Sequence, residues 1–216
     1  MTHRQVSAIL LAGGSSKRFG SNKLLLPLGG YPMIEHPIQR FRSAGVTDII
    51  VVTGAYDEAL QNAGLSSVRF IRNDQYESGM SSSVRAGIKA LPTDSEAVFI
   101  TPADLPLFSV QTVQALLRSM GHHSAVIPVH RGKKGHPVLI SRKAATRCLS
   151  IVSEKALYDT LIEFKSATVF LDVEDEGTLM DIDLPEEYDR IRTRYDSLYP
   201  NGFQLATGNE KLKTEP

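Results

Sequence analysis

Residues 6–23 read VSAILLAGGSSKRFGSNK, an apolar run that leads directly into a glycine-rich segment with lysine and arginine. Consecutive apolar residues predict a strand that is covered on both faces, as in a parallel sheet. Glycines after such a strand let the backbone approach a ligand closely, and successive N–H groups form a concave site for phosphate oxygens. Arg18 and Lys23 add positive charge beside this turn. The stretch predicts a strand and a phosphate-binding loop; the alternative is an ordinary turn with solvated cations.

Similar apolar runs recur along the chain, and helical patterns separate most of them. The predicted strands are residues 6–11, 48–53, 68–71, 97–101, 125–129, 137–140 and 168–173. The predicted helices are residues 33–44, 80–91, 110–120, 154–164 and 186–195. This alternation predicts an α/β protein with three layers and a mostly parallel central sheet. Around HRGKKGHP, residues 130–137, strand candidates follow each other without a helix, so we expect the sheet to be irregular there.

Composition narrows the class of protein. The 216 residues contain 24 basic and 24 acidic side chains, so no global field attracts nucleic acid or an anionic membrane. Cys148 is the only cysteine, which excludes an internal disulfide and suits the cytoplasm. No stretch approaches the roughly 20 apolar residues of a membrane span. We expect a cytoplasmic protein with one domain over residues 1–198 and a mobile tail over residues 199–216.

The glycine segment matches a known signature. It is neither a P-loop nor a G-x-G-x-x-G motif, because its glycine and lysine spacing differs from both. Residues 11–23, LAGGSSKRFGSNK, resemble the loop of the molybdenum-cofactor guanylyl- and cytidylyltransferases, L-A-[AG]-G-x-[ST]-x-R-[MF]-G-x-x-K, at every fixed position. The resemblance implies a Rossmann-like nucleotidyltransferase fold and catalytic roles for Arg18 and Lys23. It also implies that the nucleotide is bound by Leu11, Ala12, Gly13, Gly14, Ser15, Arg18 and Lys23.

Two acidic segments are candidates for a metal site. TPADLPL places Asp104 just past a predicted strand, at the edge where ligands bind in open α/β sheets. Asp104 alone would also suit a helix cap near Ser109, but the matching aspartate of the resembled family holds Mg²⁺. In MDIDLPEEY, Asp183 matches the family's second candidate ligand, with Asp181 in reserve. The alternative for Asp183 is a role at the start of the helix that begins near Pro185.

Two further segments resemble the cytidylyltransferases in particular. NDQYESGMSSSVRAGI supplies Gly79 and Ser83, which match the nucleotide-contacting segment, and Asn73 and Asp74 are weaker nucleotide candidates. Plain helix capping by serine is the alternative there. Gly135-His136-Pro137 resembles the signature near the acceptor, which implies that His136 binds the acceptor. A structural histidine is the alternative.

The resemblance implies a reaction. We expect Mg²⁺-dependent transfer of CMP from CTP to a terminal phosphate, with molybdopterin as the acceptor and pyrophosphate as the leaving group. GTP stays open, because Gly13 is usual in guanylyltransferases and leaves room for a purine. Alanine at position 13 is therefore expected to harm GTP more than CTP. Other phosphorylated acceptors and a non-catalytic carrier of molybdenum cofactor also stay open, and a molybdoenzyme is a possible partner.

Overall fold

The protein is described by a computed structural model over residues 5–16 and 19–200. The strands are β1 (Val6–Ala12), β2 (Pro27–Leu28), β3 (Tyr31–Pro32), β4 (Asp48–Thr53), β5 (Arg69–Arg72), β6 (Ala97–Pro102), β7 (Ala125–His130), β8 (Lys133–Lys134), β9 (Val138–Ser141) and β10 (Thr168–Asp172). Eight of them form one sheet in the order β10-β7-β9-β6-β1-β4-β5, with β8 paired to β7. β1, the predicted opening strand, therefore lies in the interior of the sheet.

Two layers of helices cover the sheet. The helices are α1 (Glu35–Ser43), α2 (Asp57–Gln61), α3 (Met80–Lys89), α4 (Val110–Ser119), α5 (Arg142–Ser150), α6 (Ala156–Glu163) and α7 (Pro185–Leu198). On one face Leu10 of β1 belongs to the same buried cluster as Phe41 of α1. On the other face Ile9 belongs to a cluster with Val84 of α3 and Cys148 of α5. The three-layer α/β architecture predicted from the sequence is confirmed, since β1 is apolar toward both helix layers.

The predicted irregularity at HRGKKGHP is confirmed. β9 is antiparallel to both of its neighbours, β6 and β7, whereas the other pairs along the path of the sheet are parallel. β7 and β8 form a short antiparallel hairpin with positive φ angles at Arg131 and Gly132. The chain reverses here instead of crossing over through a helix. As a result, the segment between β8 and β9, which contains His136, lies beside the parallel strands.

Several short elements were not predicted. α5 begins directly after β9, and the last residue of that strand, Ser141, caps the helix by accepting a hydrogen bond from the Ala144 N–H. No turn residue separates the two elements, so the sequence lacks the usual boundary signal. α2 spans five residues and β2 and β3 span two each, too few to give a hydrophobic period. Gly29 and Gly30 make the turn between β2 and β3 with φ angles of +58° and +85°.

α7 packs back on the β2–β3 hairpin. Tyr195 is buried beneath Gly29, where an added Cβ would overlap the tyrosine hydroxyl. The Tyr188 hydroxyl donates to the Pro27 carbonyl, and the ring of Tyr199 lies 5.0 Å from that of Tyr195. Tyr199, the first residue of the predicted tail, is thus packed, while residues 201–216 lie outside the described part of the chain. No helix within the described residues is long and apolar enough to cross a membrane.

Candidate nucleotide and metal site

The glycine loop lies against the segment that follows β4. A Cβ on Gly54 would stand 2.5 Å from the carbonyl oxygen of Gly13. The two backbone segments therefore lie so close together that position 54 has no room for a side chain. The Tyr56 hydroxyl donates to the Ser15 carbonyl at 3.0 Å. β1 and β4 are parallel, so both segments leave the carboxyl edge of the sheet together. The loop is therefore fixed at the edge where open α/β sheets bind ligands.

A cleft of about 400 Å³ opens between this loop and the start of α3. Ten of the predicted site residues line it: Leu11, Ala12, Gly13, Gly14, Ser15, Lys23, Gly79, Ser83, Asp104 and Asp183. They come from segments more than 150 residues apart in the chain, and the fold brings them to one place. Arg18, the other predicted catalytic cation, lies outside the described residues.

Charged side chains collect at one end of the cleft. The Lys23 ammonium lies 2.5 Å from Asp104 Oδ2 and 3.3 Å from Asp183 Oδ1, and it also donates to the carbonyl oxygen of Ile182. Lys23 begins a 3₁₀ helix, Lys23–Leu25, which the Asn22 side chain caps. This cap fixes the backbone from which the lysine reaches both carboxylates. One cation and two carboxylates from three distant segments therefore form a single charged centre.

One oxygen of the Asp104 carboxyl is available to a cation other than Lys23. Burial raises the pKa of Asp104 above its ordinary value, the Lys23 ammonium opposes this shift, and Asp181 adds to it. Oδ1 of Asp104 is buried and has no hydrogen-bond partner within the described residues. In that part of the chain no three His, Cys, Asp or Glu side chains are grouped to hold a metal. Two carboxylates with one unsatisfied oxygen suit Mg²⁺, which takes one or two carboxylates together with phosphate oxygens and water.

The other end of the cleft is uncharged. Gly13, Tyr76 and Ser83 lie together there, and a Cβ on Gly13 would stand 2.9 Å from Ser83 Oγ. The methyl group of an alanine at position 13 would therefore overlap Ser83 Oγ even without a bound base. The overlap is with the protein, whichever nucleotide is bound, and gives no reason for the larger loss with GTP that the sequence analysis expects.

Asn73 and Asp74 do not line the cleft. The Asn73 side chain is buried behind the cleft wall, where its amide group bonds to Ser82 and Ser83. Asp74 is 83% exposed and pairs with Arg72 at 2.8 Å. The structure therefore does not bring these two side chains together with the other predicted site residues in the cleft. Both residues follow β5 at the carboxyl edge of the sheet, where the cleft also lies, but neither side chain lines the cleft.

His136 lines a second cavity, of about 420 Å³. Met80 borders both this cavity and the cleft, so the two adjoin at the start of α3. The walls are largely apolar, and they also carry Lys134 and Lys155. Burial lowers the pKa of His136 below its ordinary value, and its Nδ1 lies 3.4 Å from the Ile100 carbonyl oxygen. The imidazole is therefore neutral near pH 7.

Side chains of α3 hold the far wall of that second cavity. Ser81 Oγ donates to the Glu154 carbonyl at 2.5 Å and accepts from the Ala156 N–H at 3.0 Å. Arg85 donates to the carbonyls of Ile151 and Ser153 at 2.6 and 2.8 Å. The same helix thus borders the cleft with its first residues and fixes the segment that leads into α6.

Several cleft residues were missed by the sequence analysis. Tyr76 and Met80 lie in the segment NDQYESGM, in which only Asn73, Asp74 and Gly79 were predicted as site residues. Phe19 and Ser16 belong to the glycine segment and also line the cleft. An aromatic and a methionine beside the matched glycine were the available signal, but neither residue type indicates a binding role without the fold.

A glycine-rich loop that shares a cleft with Lys23, Asp104 and Asp183, at the carboxyl edge of this three-layer sheet, is typical of nucleotidyltransferases. The structure resembles a nucleotidyl transferase from Methanothermobacter thermautotrophicus with a TM-score of 0.79 and 24% identity, covering 90% of this chain and 99% of that one, which shows the shared fold. The family model described as the MobA-like NTP transferase domain matches residues 8–167. The chain belongs to this family and is a transferase.

The proteins that are similar to this chain in sequence carry different names. A molybdenum cofactor cytidylyltransferase from Escherichia coli is 27% identical over 192 residues, which is 88% of this chain and 97% of that protein. A nicotine blue oxidoreductase from Paenarthrobacter nicotinovorans is 31% identical over 196 residues, 86% of this chain and 96% of that protein. Other relatives are named molybdenum cofactor guanylyltransferases. The family is thus fixed, while the activities named for these relatives differ.

Proposed function

We propose that the protein transfers CMP from CTP to the terminal phosphate of a molybdopterin-type acceptor, with Mg²⁺ as cofactor. The observation that carries the proposal is the Lys23 ammonium between Asp104 and Asp183 at one end of a cleft that the glycine loop closes on the other side. The cytidylyltransferase-like segments around Gly79 and His136 support CTP. Transfer in the cytoplasm is consistent with the one cysteine, Cys148, being a buried free thiol.

In this reaction an oxygen of the acceptor phosphate attacks the α-phosphorus of CTP. The bond from that phosphorus to the oxygen bridging to the β-phosphate breaks, and pyrophosphate leaves with the bonding electron pair. The acceptor phosphate is already anionic, so the chain needs no strong general base. It must instead reduce the repulsion between anions and hold them in line.

The described residues divide this work between them. The N–H groups of the loop from Gly14 onward and the Lys23 ammonium bind phosphate oxygens and offset charge on the leaving group. Asp104 and Asp183 would hold Mg²⁺, which would supply Lewis-acid charge neutralisation to the reacting phosphates. The uncharged end of the cleft, with Gly13, Tyr76 and Ser83, receives the nucleoside.

The second cavity suits the acceptor. It adjoins the cleft at Met80, its apolar walls match a flat heterocycle, and Lys134 and Lys155 match a phosphate. The neutral His136 imidazole carries one donor and one acceptor for the ring edge. The nucleotidylated product would then be passed to a molybdoenzyme, which is the partner class that this acceptor implies.

The test is pyrophosphate release from each of the four NTPs, with and without molybdopterin. We expect release only with molybdopterin present, and kcat/KM at least about tenfold higher with CTP than with GTP, which corresponds to about 1.4 kcal/mol. His136→Ala should raise the KM for the acceptor and leave that for CTP nearly unchanged. A preference for GTP would replace the proposal by a guanylyltransferase, and release with a different phosphorylated acceptor alone would replace molybdopterin.

A second candidate is reduction of a heterocyclic compound. It is favoured by the 31% identity to a protein named nicotine blue oxidoreductase, which exceeds that to the cytidylyltransferase. A reduced nicotinamide dinucleotide also carries a pyrophosphate that the glycine loop would fit. Its absorbance at 340 nm, followed with and without a quinonoid dye, distinguishes the candidates: steady oxidation without pyrophosphate release would favour reduction.

A further inference from the structure

Behind the uncharged end of the cleft lies a small network of one amide and two hydroxyl groups. Asn73 Nδ2 donates to Ser82 Oγ at 2.8 Å and to Ser83 Oγ at 3.0 Å. Asn73 Oδ1 accepts from the backbone N–H of Gln75 at 3.0 Å. The Asn73 and Ser83 side chains are both buried. The network therefore joins the residue after β5 to the wall of the cleft.

The direction of these hydrogen bonds is determined by the backbone. The Gln75 N–H is a donor only, so the atom of Asn73 that faces it must be the carbonyl oxygen. The NH₂ group of Asn73 consequently faces the two serines, with one hydrogen for each. Both serine oxygens accept from Asn73, and each hydroxyl keeps a single hydrogen to donate.

The two serines use that hydrogen differently. Ser82 Oγ lies 2.8 Å from the carbonyl oxygens of Gln75 and Gly79, so its hydrogen has an acceptor within the protein. For Ser83, the part of the chain that the structure describes offers no acceptor. Ser83 lines the cleft beside Gly13, and the cleft is the open side left to its O–H group.

We infer that Asn73 is a positioning residue that makes the Ser83 hydroxyl a hydrogen-bond donor toward the bound nucleotide. The inference rests on the proposed nucleotide function of the cleft and deepens it. Ser83 lies beside Gly13 and Tyr76 and makes no hydrogen bond to Lys23, Asp104 or Asp183 in the described part of the chain, so its partner is assigned to the nucleoside rather than to a phosphate. That partner must be an acceptor, such as O2 or N3 of cytosine, and a donor at the same point is rejected since both groups would lose a partner.

Asn73→Asp replaces the hydrogen-bond donor that faces the two serines by an acceptor, with almost no change in the shape of the side chain. One carboxylate oxygen still accepts from the Gln75 N–H, while the other accepts where the amide donated. The Ser83 hydrogen then turns to the carboxylate and away from the cleft. In calorimetric titrations we expect the affinity for CTP to fall about tenfold or more, which is about 1.4 kcal/mol. Ser83→Ala should give a loss of similar size.

Three measurements distinguish a reversed hydrogen bond from an effect of the added negative charge and from misfolding. Gln75→Glu adds the same charge two residues away on an exposed side chain and should change CTP affinity by less than about twofold. Tripolyphosphate, which lacks a base, should bind wild type and Asn73→Asp within about twofold of each other. In the Ser83→Ala background, Asn73→Asp should have little further effect, because the hydroxyl through which it acts is gone.

The outcomes are distinguishable. An equal loss from Asn73→Asp with and without the Ser83 hydroxyl, or no loss at all, would overturn the inference while leaving the proposed function intact. A matching loss of tripolyphosphate affinity would also overturn it, since the effect would then be one of charge. Wild-type protein that binds no nucleotide would overturn both the inference and the proposed function.

Discussion

The Lys23 ammonium lies 2.5 Å from Asp104 Oδ2, at the end of the cleft where β6 ends. The lysine therefore neutralises a buried carboxylate that burial alone would leave protonated more often. Its positive charge also opposes the approach of a divalent cation to the other oxygen of the same carboxylate. Lys23 thus links the glycine segment to the candidate metal ligands, and its two possible partners, carboxylate and triphosphate, compete for one positive charge.

Asp104→Asn should abolish most of the turnover and leave the fold intact. Asparagine keeps the shape of the side chain but loses the charge that would hold Mg²⁺, so we expect kcat to fall at least about 100-fold. Pyrophosphate release measures the turnover, and thermal denaturation measures the fold. Asp74→Asn is the matched control, because that side chain is exposed and outside the cleft. Near wild-type turnover in folded Asp104→Asn would exclude the metal role.

Lys23→Met should weaken NTP binding and strengthen metal binding. The ammonium contacts phosphates in both ground and transition states, so its loss should raise the KM for NTP about tenfold with a smaller change in kcat. Without the competing ammonium, Mn²⁺ titrated in the absence of nucleotide should bind more tightly. Lys89→Met, at the exposed far end of α3, is the control. If neither quantity moves, Lys23 does not act at this centre.

Gly13→Ala should reduce the affinity for CTP and GTP alike. Its Cβ would stand 2.9 Å from Ser83 Oγ, closer than such contacts normally come. Adding Ser83→Gly removes the overlapping atom, so we expect the double variant to regain the binding of tripolyphosphate that Gly13→Ala lost. The Ser83→Gly single variant is measured in parallel and should bind tripolyphosphate as wild type does, because Ser83 is assigned to the nucleoside. A larger loss of affinity for GTP than for CTP would instead support the expectation from the sequence.

Ser81→Ala should weaken acceptor binding and spare the nucleotide. The hydroxyl joins α3 to the segment before α6, and without it the Glu154 carbonyl and the Ala156 N–H lose their shared partner. We expect the KM for the acceptor to rise about fivefold or more, with faster amide exchange in α6. Ser78→Ala is the control. Equal changes in both KM values would indicate a general loss of structure instead.

The stability of the protein should fall with acid through His36. Burial lowers the pKa of His36 from 6.5 to about 4, because the charged ring is costly inside the fold. The neutral ring stabilises the fold above pH 6.5, and this contribution is lost as pH falls toward 4, by at most about 3 kcal/mol. Urea denaturation of His36→Gln should therefore show a smaller loss of unfolding free energy between pH 7 and pH 4.5.

A control for that measurement is His122→Gln, in an exposed turn, which should retain the wild-type pH dependence. If wild type and His36→Gln lose the same free energy over this range, the His36 ring is not the group that titrates.

The fold could be predicted because its strands are buried on both faces. Runs such as residues 48–53 have no polar alternation, and helices follow most of them, which leaves few arrangements other than a three-layer sheet. α5 was missed because Ser141 ends a strand and caps a helix at the same position. The antiparallel orientation of β9 was anticipated only as an irregularity, since strand direction depends on partners distant in sequence.

The site residues that could be predicted are those in which a charged side chain lies in or next to a recognisable backbone pattern, such as a glycine-rich loop or the end of a strand. The glycine loop, Lys23 and Asp104 carry both, and they meet in the cleft. Asn73 carries a polar side chain at the right edge, but its direction depends on the Gln75 N–H and on serines in another element. The second cavity joins His136 to α6, and no local pattern in either segment indicates the other.

The contact between Gly29 and Tyr195 constrains how this sequence can vary. Any side chain at position 29 would overlap the tyrosine ring and displace α7, whose first turn follows Asp183. A mutational screen for inactive protein should therefore recover changes at Gly29, although this residue lies outside the cleft. The two positions should therefore be coupled in evolving lineages: we expect a larger residue at 29 to persist only where a smaller one has replaced the tyrosine at 195.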